Sequence, residues 1–264
     1  MSIRMMLGIR GAVLASALVC AAVSPTSSPA QGILGAFLGL GVQQGAGSFQ
    51  APSGCPVMVE HFLPKCASAP AVIFLHGSDG AYRHARSYRM VCRALASEGY
   101  AVFFVHYFEG TPGLQAPDAD TRELPDPRAF AAWLGVNAAA VNYVQNFGCG
   151  VDPNRIGVAG LSLGGYLATA LASKDPRIRA VVTTSGGIPP QFANFRHMPP
   201  TLIIHGECDP TVPVAEAHKL HILMWKKKLC NELLILPGEG HVPFGEGGQK
   251  AAAERGLDFL NRNL

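Results

Sequence analysis

Charge is scarce in this sequence. Asp, Glu, Lys and Arg together make up 15% of the 264 residues, well below the roughly one quarter usual for soluble domains. The formal net charge is only +3, and without Arg4 and Arg10 the rest of the chain is close to neutral. No basic face of the kind that tracks phosphate backbones stands out, so nucleic acid is not an expected partner. Zinc-type Cys/His spacings are missing as well: no C-x-x-C and no paired Cys/His run occurs, and neither a metal nor an organic cofactor is expected. Internal repeats and linkers are absent after residue 50. What remains is apolar. Hydrophobic residues reach 48%, enough for a sizeable core in one domain.

The first thirty residues contain no acid. Arg4 and Arg10 precede an apolar stretch at 11–23, GAVLASALVCAAV, and a polar SPTSSPA follows, with Ser28 and Ala30 at the small-residue positions. This pattern predicts a secretory signal peptide over 1–30, cleaved after Ala30. The apolar run is short for a bilayer span, so no stable membrane span is expected after cleavage, and the mature chain is expected to be secreted or periplasmic. Cys20 raises a lipoprotein alternative, but Ala17-Leu18-Val19 lacks the small residue expected beside a lipidated cysteine. Cleavage leaves Cys55, Cys66, Cys92, Cys149, Cys208 and Cys230, an even number that permits disulfides in an oxidising compartment. Cys55 with Cys66 is the easiest pair to draw. Cys208 either braces its loop or is a buried thiol.

Residues 31–56 read as a lead-in segment, glycine-rich at 32–50. From residue 57 strands and helices alternate. Strands are expected at 57–63, 71–75 (AVIFL), 100–106 (YAVFFVH), 155–159, 180–184, 201–205 (TLIIH) and 232–236. Helices are expected at 84–97, 126–147, 163–173, 214–228 and 248–260. Continuous apolar strands alternating with helices imply a parallel sheet covered on both faces. The irregular stretches at 109–125 and 186–200 are too short for a large cap domain.

At the junction of the strand at 155–159 and the helix at 163–173 stands Gly160-Leu161-Ser162-Leu163-Gly164. This is G-x-S-x-G in the strand-turn-helix setting that the motif requires. A tight turn there presents the Ser162 hydroxyl at the C-terminal edge of the sheet, with the first helical amides behind it. Serine needs a base. Of nine histidines, His241 is on the loop that leaves the last expected strand, at the same edge. The base needs an acid. Asp209, in the loop after the strand at 201–205, is the candidate, with Glu207 behind it. Serine, acid, histidine is the chain order of one fold class of serine hydrolase. Oxyanion donors are assigned to the backbone N–H groups of Ser78, in the turn after the strand at 71–75, and of Leu163, with Gly77 the rival to Ser78. His76 is read as structural. Phe108, Tyr82, Phe192 and Phe195 are candidates to line an acyl pocket or, equally, ordinary packing.

Together these residues resemble the α/β-hydrolase family over 57–264, and within it the dienelactone hydrolase-like branch. The likeness rests on the turn at 76–80, the elbow at Ser162, Asp209 followed by Val212-Pro213, and Gly238-Glu239-Gly240-His241. The resemblance implies an α/β-hydrolase fold, with a mostly parallel twisted sheet of about eight strands, helices on both faces and no large cap. Dienelactone hydrolase itself uses a cysteine where this chain has Ser162. The resemblance therefore points to serine esterases, with a small-molecule or polymer-linked ester as substrate, and to peptidase-like relatives. A non-catalytic binding protein on the same scaffold is the reading from another class. The sequence leaves the oligomeric state open.

Overall fold

The structure is a computed structural model that describes residues 41–66, 68–114, 125–148, 150–242 and 244–264. The signal segment and its cleavage site lie outside the described residues, as do Cys149 and residues 115–124 of the polar loop.

Eight strands form one sheet: β1 (Gln43–Gln50), β2 (Pro56–Leu63), β3 (Ala69–Leu75), β4 (Ala101–Val105), β5 (Val151–Leu161), β6 (Ile178–Thr184), β7 (Thr201–Gly206) and β8 (Asn231–Leu236). Their spatial order is β1-β2-β4-β3-β5-β6-β7-β8. β1, β2 and β4 pair antiparallel, and every pairing from β4 onward is parallel. The helices are α1 (Gly80–Arg83), α2 (Ala85–Ser97), α3 (Pro127–Gln145), α4 (Leu163–Ala172), α5 (Ala215–Lys226) and α6 (Glu246–Asn263). This is the mostly parallel, helix-covered sheet without a large cap that the sequence implies. Among the described residues no helix is long and apolar enough to cross a membrane.

The continuous apolar strands are explained by burial on both faces. In β3, Ala71, Ile73 and Leu75 enter a core shared with α3, α4 and α5, whereas Val72 and Phe74 enter a second core shared with α2 and α6. β4 divides the same way, with Phe103 on one side and Val102 and Phe104 on the other. A run such as AVIFL thus serves two layers at once, because successive side chains point to opposite faces. At the start of α3, Pro127 occupies the first turn and the Asp126 carboxylate accepts the Arg128 N–H at 2.7 Å, capping a donor that the helix cannot satisfy itself.

Two expectations change. The lead-in segment contributes a strand: all eight residues of β1 pair with β2. Its sequence, QQGAGSFQ, has no apolar alternation because most of its side chains face solvent; backbone pairing holds this edge, helped by Phe49 against Tyr143 and by a bond from Arg93 to Gln44. Gly45 and Gly47 leave room there for the His61 ring and the Tyr143 hydroxyl, which a side chain at either position would have to displace. Second, Cys55 and Cys66 are not bridged, and all five described cysteines are free thiols. Cys55 precedes β2 and Cys66 follows it, so a strand of eight residues, about 26 Å at ~3.3 Å each, holds them far beyond disulfide reach. Cys208 is exposed rather than buried.

Candidate active site

The C-terminal edge of the sheet gathers the candidate residues. Ser162 follows β5, Ser78 follows β3, Asp209 follows β7 and His241 follows β8. Ser162 has φ 54° and ψ −119°, a left-handed conformation that costs a non-glycine residue on the order of 1–3 kcal/mol. The surroundings impose it. A Cβ at Gly160 would overlap the Gly164 carbonyl, and one at Gly164 would overlap the carbonyls of Leu75 and His76. Both glycines are therefore required by close backbone approach rather than by flexibility. The Ser162 N–H donates to Thr184 O at 2.8 Å, tying the elbow to β6. α4 begins at the next residue, and its unpaired N-terminal amides favour negative charge at this spot.

Asp209 and His241 are in direct contact, with His241 Nδ1 2.7 Å from Asp209 Oδ2. Two loops are fixed together to achieve this. Cys208 N–H donates to Glu239 O at 2.8 Å and Glu207 N–H to Leu236 O at 3.0 Å. Glu207 uses its carboxylate on the Gly238 N–H at 3.0 Å, so the alternative acid serves to join the loops. The other Asp209 oxygen, Oδ1, accepts the N–H groups of Thr211 at 2.9 Å and Val212 at 2.8 Å. The Asp209 side chain is fully buried while the His241 side chain is 20% exposed, so the carboxylate is sealed and the imidazole is reachable. Burial pushes the Asp209 carboxyl upward. Hydrogen bonds from His205, His241 and Val212 outweigh that and hold it well below the usual carboxylate range. Among the described residues the Ser162 hydroxyl makes no hydrogen bond; in unliganded sites such bonds are often long and tighten on binding.

His205 is the residue that sequence reasoning missed. It is completely buried at the end of β7. Its Nε2 is 2.9 Å from Val212 O and 3.3 Å from Asp209 Oδ2. Since a carbonyl only accepts, Nε2 carries the proton. Val212 thus receives a bond from His205 and gives one to Asp209, which accounts for the residues that follow Asp209 in the motif.

The turn after β3 is braced from below. His76 is buried, its Nδ1 is 2.7 Å from Gly77 O, and its ring stacks on Tyr107 with centroids 4.0 Å apart. Tyr107 Oη donates to His76 O at 2.9 Å. Gly77 N–H donates to Tyr88 Oη at 3.2 Å, and Tyr88 Oη in turn donates to Asp79 Oδ1 at 2.6 Å. Gly77's amide is therefore occupied. The Ser78 amide has no acceptor among the described residues, and Leu163 is the first residue of α4, where an amide has no intrahelical partner.

The aromatic candidates divide. Phe108 stands beside the turn, 4.8 Å from the His76 ring between centroids, with its ring next to where a side chain at Gly80 would project. Tyr82 lies on α1 and donates its hydroxyl to Glu109. Phe192 packs on Phe130, and Phe195 is buried with Lys227 Nζ 5.2 Å over its ring, so these two belong to the packing between helices. Among the described residues no group of three or more His, Cys, Asp or Glu side chains could hold a metal ion.

The profile of the dienelactone hydrolase family matches residues 57–262. Arylacetamide deacetylase-like 4 of Homo sapiens is 29% identical over 136 residues, which is 48% of this chain and 30% of that protein. The chain spans less than half the length of the curated relatives it matches. A dienelactone hydrolase-like promiscuous phosphotriesterase, P91, from metagenomic libraries superposes with a TM-score of 0.66 at 18% identity, covering 83% of this chain and 98% of that one. The acylaminoacyl peptidase of Pyrococcus horikoshii superposes with a TM-score of 0.68 at 15% identity, covering 84% of this chain and 42% of that one. At such identities the two structures establish likeness of fold and nothing about substrate. With the family profile spanning nearly the whole described sheet and its covering helices, the chain belongs to the dienelactone hydrolase family, a family of hydrolases.

Proposed function

We propose that this chain is an exported serine hydrolase that cleaves carboxylic esters through an acyl-enzyme, with Ser162 as nucleophile, His241 as base and Asp209 as the acid behind it. The observation that carries the reading is the 2.7 Å contact between His241 Nδ1 and a buried Asp209 carboxylate, at the sheet edge where Ser162 is held in a strained elbow. Asp209 fixes the tautomer in which Nδ1 bears the proton and Nε2 is free to accept one. His241 takes the Ser162 proton as Ser162 Oγ attacks the ester carbonyl. The negative charge that develops on the carbonyl oxygen meets the N–H groups of Ser78 and Leu163. His241 then returns the proton to the leaving alcohol, and the acyl group stays on Ser162. Water attacks that ester in the same manner, releasing the acid and restoring the serine. Throughout, the low proton affinity of Asp209 keeps it ionised, which stabilises the transient imidazolium. Export is supported by the arginine-apolar-small pattern of 1–30.

The test is hydrolysis of a nitrophenyl ester series from acetyl to octanoyl by the wild type and Ser162→Ala. Turnover by the wild type that drops by several orders of magnitude in the variant supports the proposal. Folded wild-type protein that leaves every ester intact yet cleaves aminoacyl amides would move the assignment to a peptidase.

A further inference from the structure

Among the described residues, large apolar side chains exposed to solvent are few, and two of them share α5. Trp225 is 70% exposed and Ile222 46% exposed. With His218 they are spaced four and three residues apart, which places them on one stripe of the helix. Lysines surround the stripe. Lys219, Lys226 and Lys228 are exposed beside it, whereas Lys227 turns its ammonium onto the Phe195 ring, and Glu216, bound to Lys219, is the sole acid between residues 215 and 230. The side chains of Lys226 and Lys228 have no hydrogen-bond or ion-pair partner among the described residues. Farther along, Glu232 is engaged by Arg255 and Arg262 and leaves the positive field of α5 uncancelled. Lys228 is held at φ 57°, where Leu229 N–H closes the helix end on Met224 O. Glycine is the favoured residue at that position, yet it carries a lysine.

We propose that this face of α5 is a docking surface for a bilayer rich in anionic lipid. Indole and a branched aliphatic chain gain by entering the boundary between headgroups and acyl chains, and lysines on both sides gain by approaching anionic headgroups. A phosphate backbone would satisfy the lysines but leave Ile222 and Trp225 in water. A second copy docked about a two-fold axis would set these lysines against their own counterparts, with Glu216 as the single local acid to offset them.

The topology places the docking stripe relative to the catalytic edge. α5 starts just beyond the Asp209 loop and ends before β8, whose first residue pairs with the first residue of β7. Trp225 therefore lies one helix length, about 18 Å at ~1.5 Å per residue, from the catalytic edge. With the stripe laid along the bilayer surface, Ser162 and His241 lie beside the docked helix, about one helix length from Trp225.

Trp225 also supplies the readout. The chain has two tryptophans, and the other, Trp133, is fully buried. The full chain is mixed at low salt with vesicles of phosphatidylcholine alone or of phosphatidylcholine and phosphatidylglycerol in equal parts. Sedimentation with the anionic vesicles only, a blue shift of tryptophan emission, and reversal of both by high salt are expected. Trp225→Ala removes little packing, the side chain being 70% exposed, and Lys228→Gly relieves the backbone, so both variants should keep the wild-type circular dichroism. Trp225→Ala should sediment about tenfold more weakly and Lys228→Gly about threefold, given the usual size of such contributions. Variants that bind as the wild type does, no binding to anionic vesicles, an equal emission shift with double-stranded DNA, or a dimer that dissolves in Trp225→Ala would each overturn the proposal.

Discussion

Asp209 Oδ2 is shared by two histidines: His241 Nδ1 lies 2.7 Å away and His205 Nε2 3.3 Å away. One histidine is reachable from solvent and the other is sealed. The buried one is placed to hold the carboxylate, not to touch substrate. Replacing His205 by Ala should leave a charged oxygen short of a donor, a loss of about 1.5–3 kcal/mol for a hydrogen bond to a charged group. We predict kcat for ester hydrolysis to fall about tenfold or more with KM little changed. The acid limb of the pH–rate profile should shift as Asp209 grips His241 less well. His205→Gln, which retains an N–H near the position of Nε2, should recover part of the loss. An unaltered pH profile in His205→Ala would assign His205 to packing alone.

The strain at Ser162 predicts a divergence between two inactive variants. Both Ser162→Ala and Ser162→Gly remove the hydroxyl, but only glycine tolerates φ 54° without cost. Ser162→Gly should therefore be the more stable by about 1 kcal/mol, as read from thermal unfolding. Equal stability would show that the elbow stores no strain.

Tyr88 links Gly77 to Asp79 under the turn assigned to the oxyanion. Tyr88→Phe leaves a buried N–H without its acceptor, at about 1–3 kcal/mol. Stability should drop by that order, and kcat should fall more than KM rises, because the donors meet the substrate oxygen only as its charge develops. A variant that loses stability but keeps full kcat would separate this turn from catalysis.

Glu60 predicts a dependence of stability on pH. Burial raises its pKa, but hydrogen bonds from His106 and Arg89 prevail and bring it from 4.5 to about 2. A carboxyl depressed on folding contributes stability that is fully present above its unfolded value and is lost as pH falls through the folded one. The window is therefore pH 4.5 down to about 2, and the contribution is at most about 3 kcal/mol. Denaturant unfolding of Glu60→Gln should show a flatter decline across that window than the wild type. Parallel curves would contradict the assignment.

The strands that serve two cores were legible because their composition is set by burial on both faces, as in AVIFL and YAVFFV. β1 was not, because its residues are chosen by what they leave room for, His61 and Tyr143, rather than by an apolar period. β5 begins four residues before the expected strand at 155–159, since Asp152-Pro153-Asn154 reads as a turn and the pairing with β3 shifts register there. At the candidate site, loop position and chain order single out Ser162, Asp209 and His241, and the structure gathers them at one sheet edge with Asp209 and His241 in contact. They do not single out His205: a histidine that ends an apolar strand carries no mark of what lies across the loop. The same holds for Tyr88 and Tyr107, whose hydroxyls reach the turn after β3 from elements 11 and 31 residues away. Their spacing in the chain says nothing of it.

The central claim is that an ester's acyl group passes through Ser162. The most direct measurement is mass spectrometry of wild-type protein quenched in acid during turnover of nitrophenyl acetate. One acetyl group on the peptide that contains Ser162, absent from Ser162→Ala and from protein quenched before substrate is added, is the predicted result. Turnover with no acyl group on that peptide, or undiminished turnover by Ser162→Ala, would contradict the account.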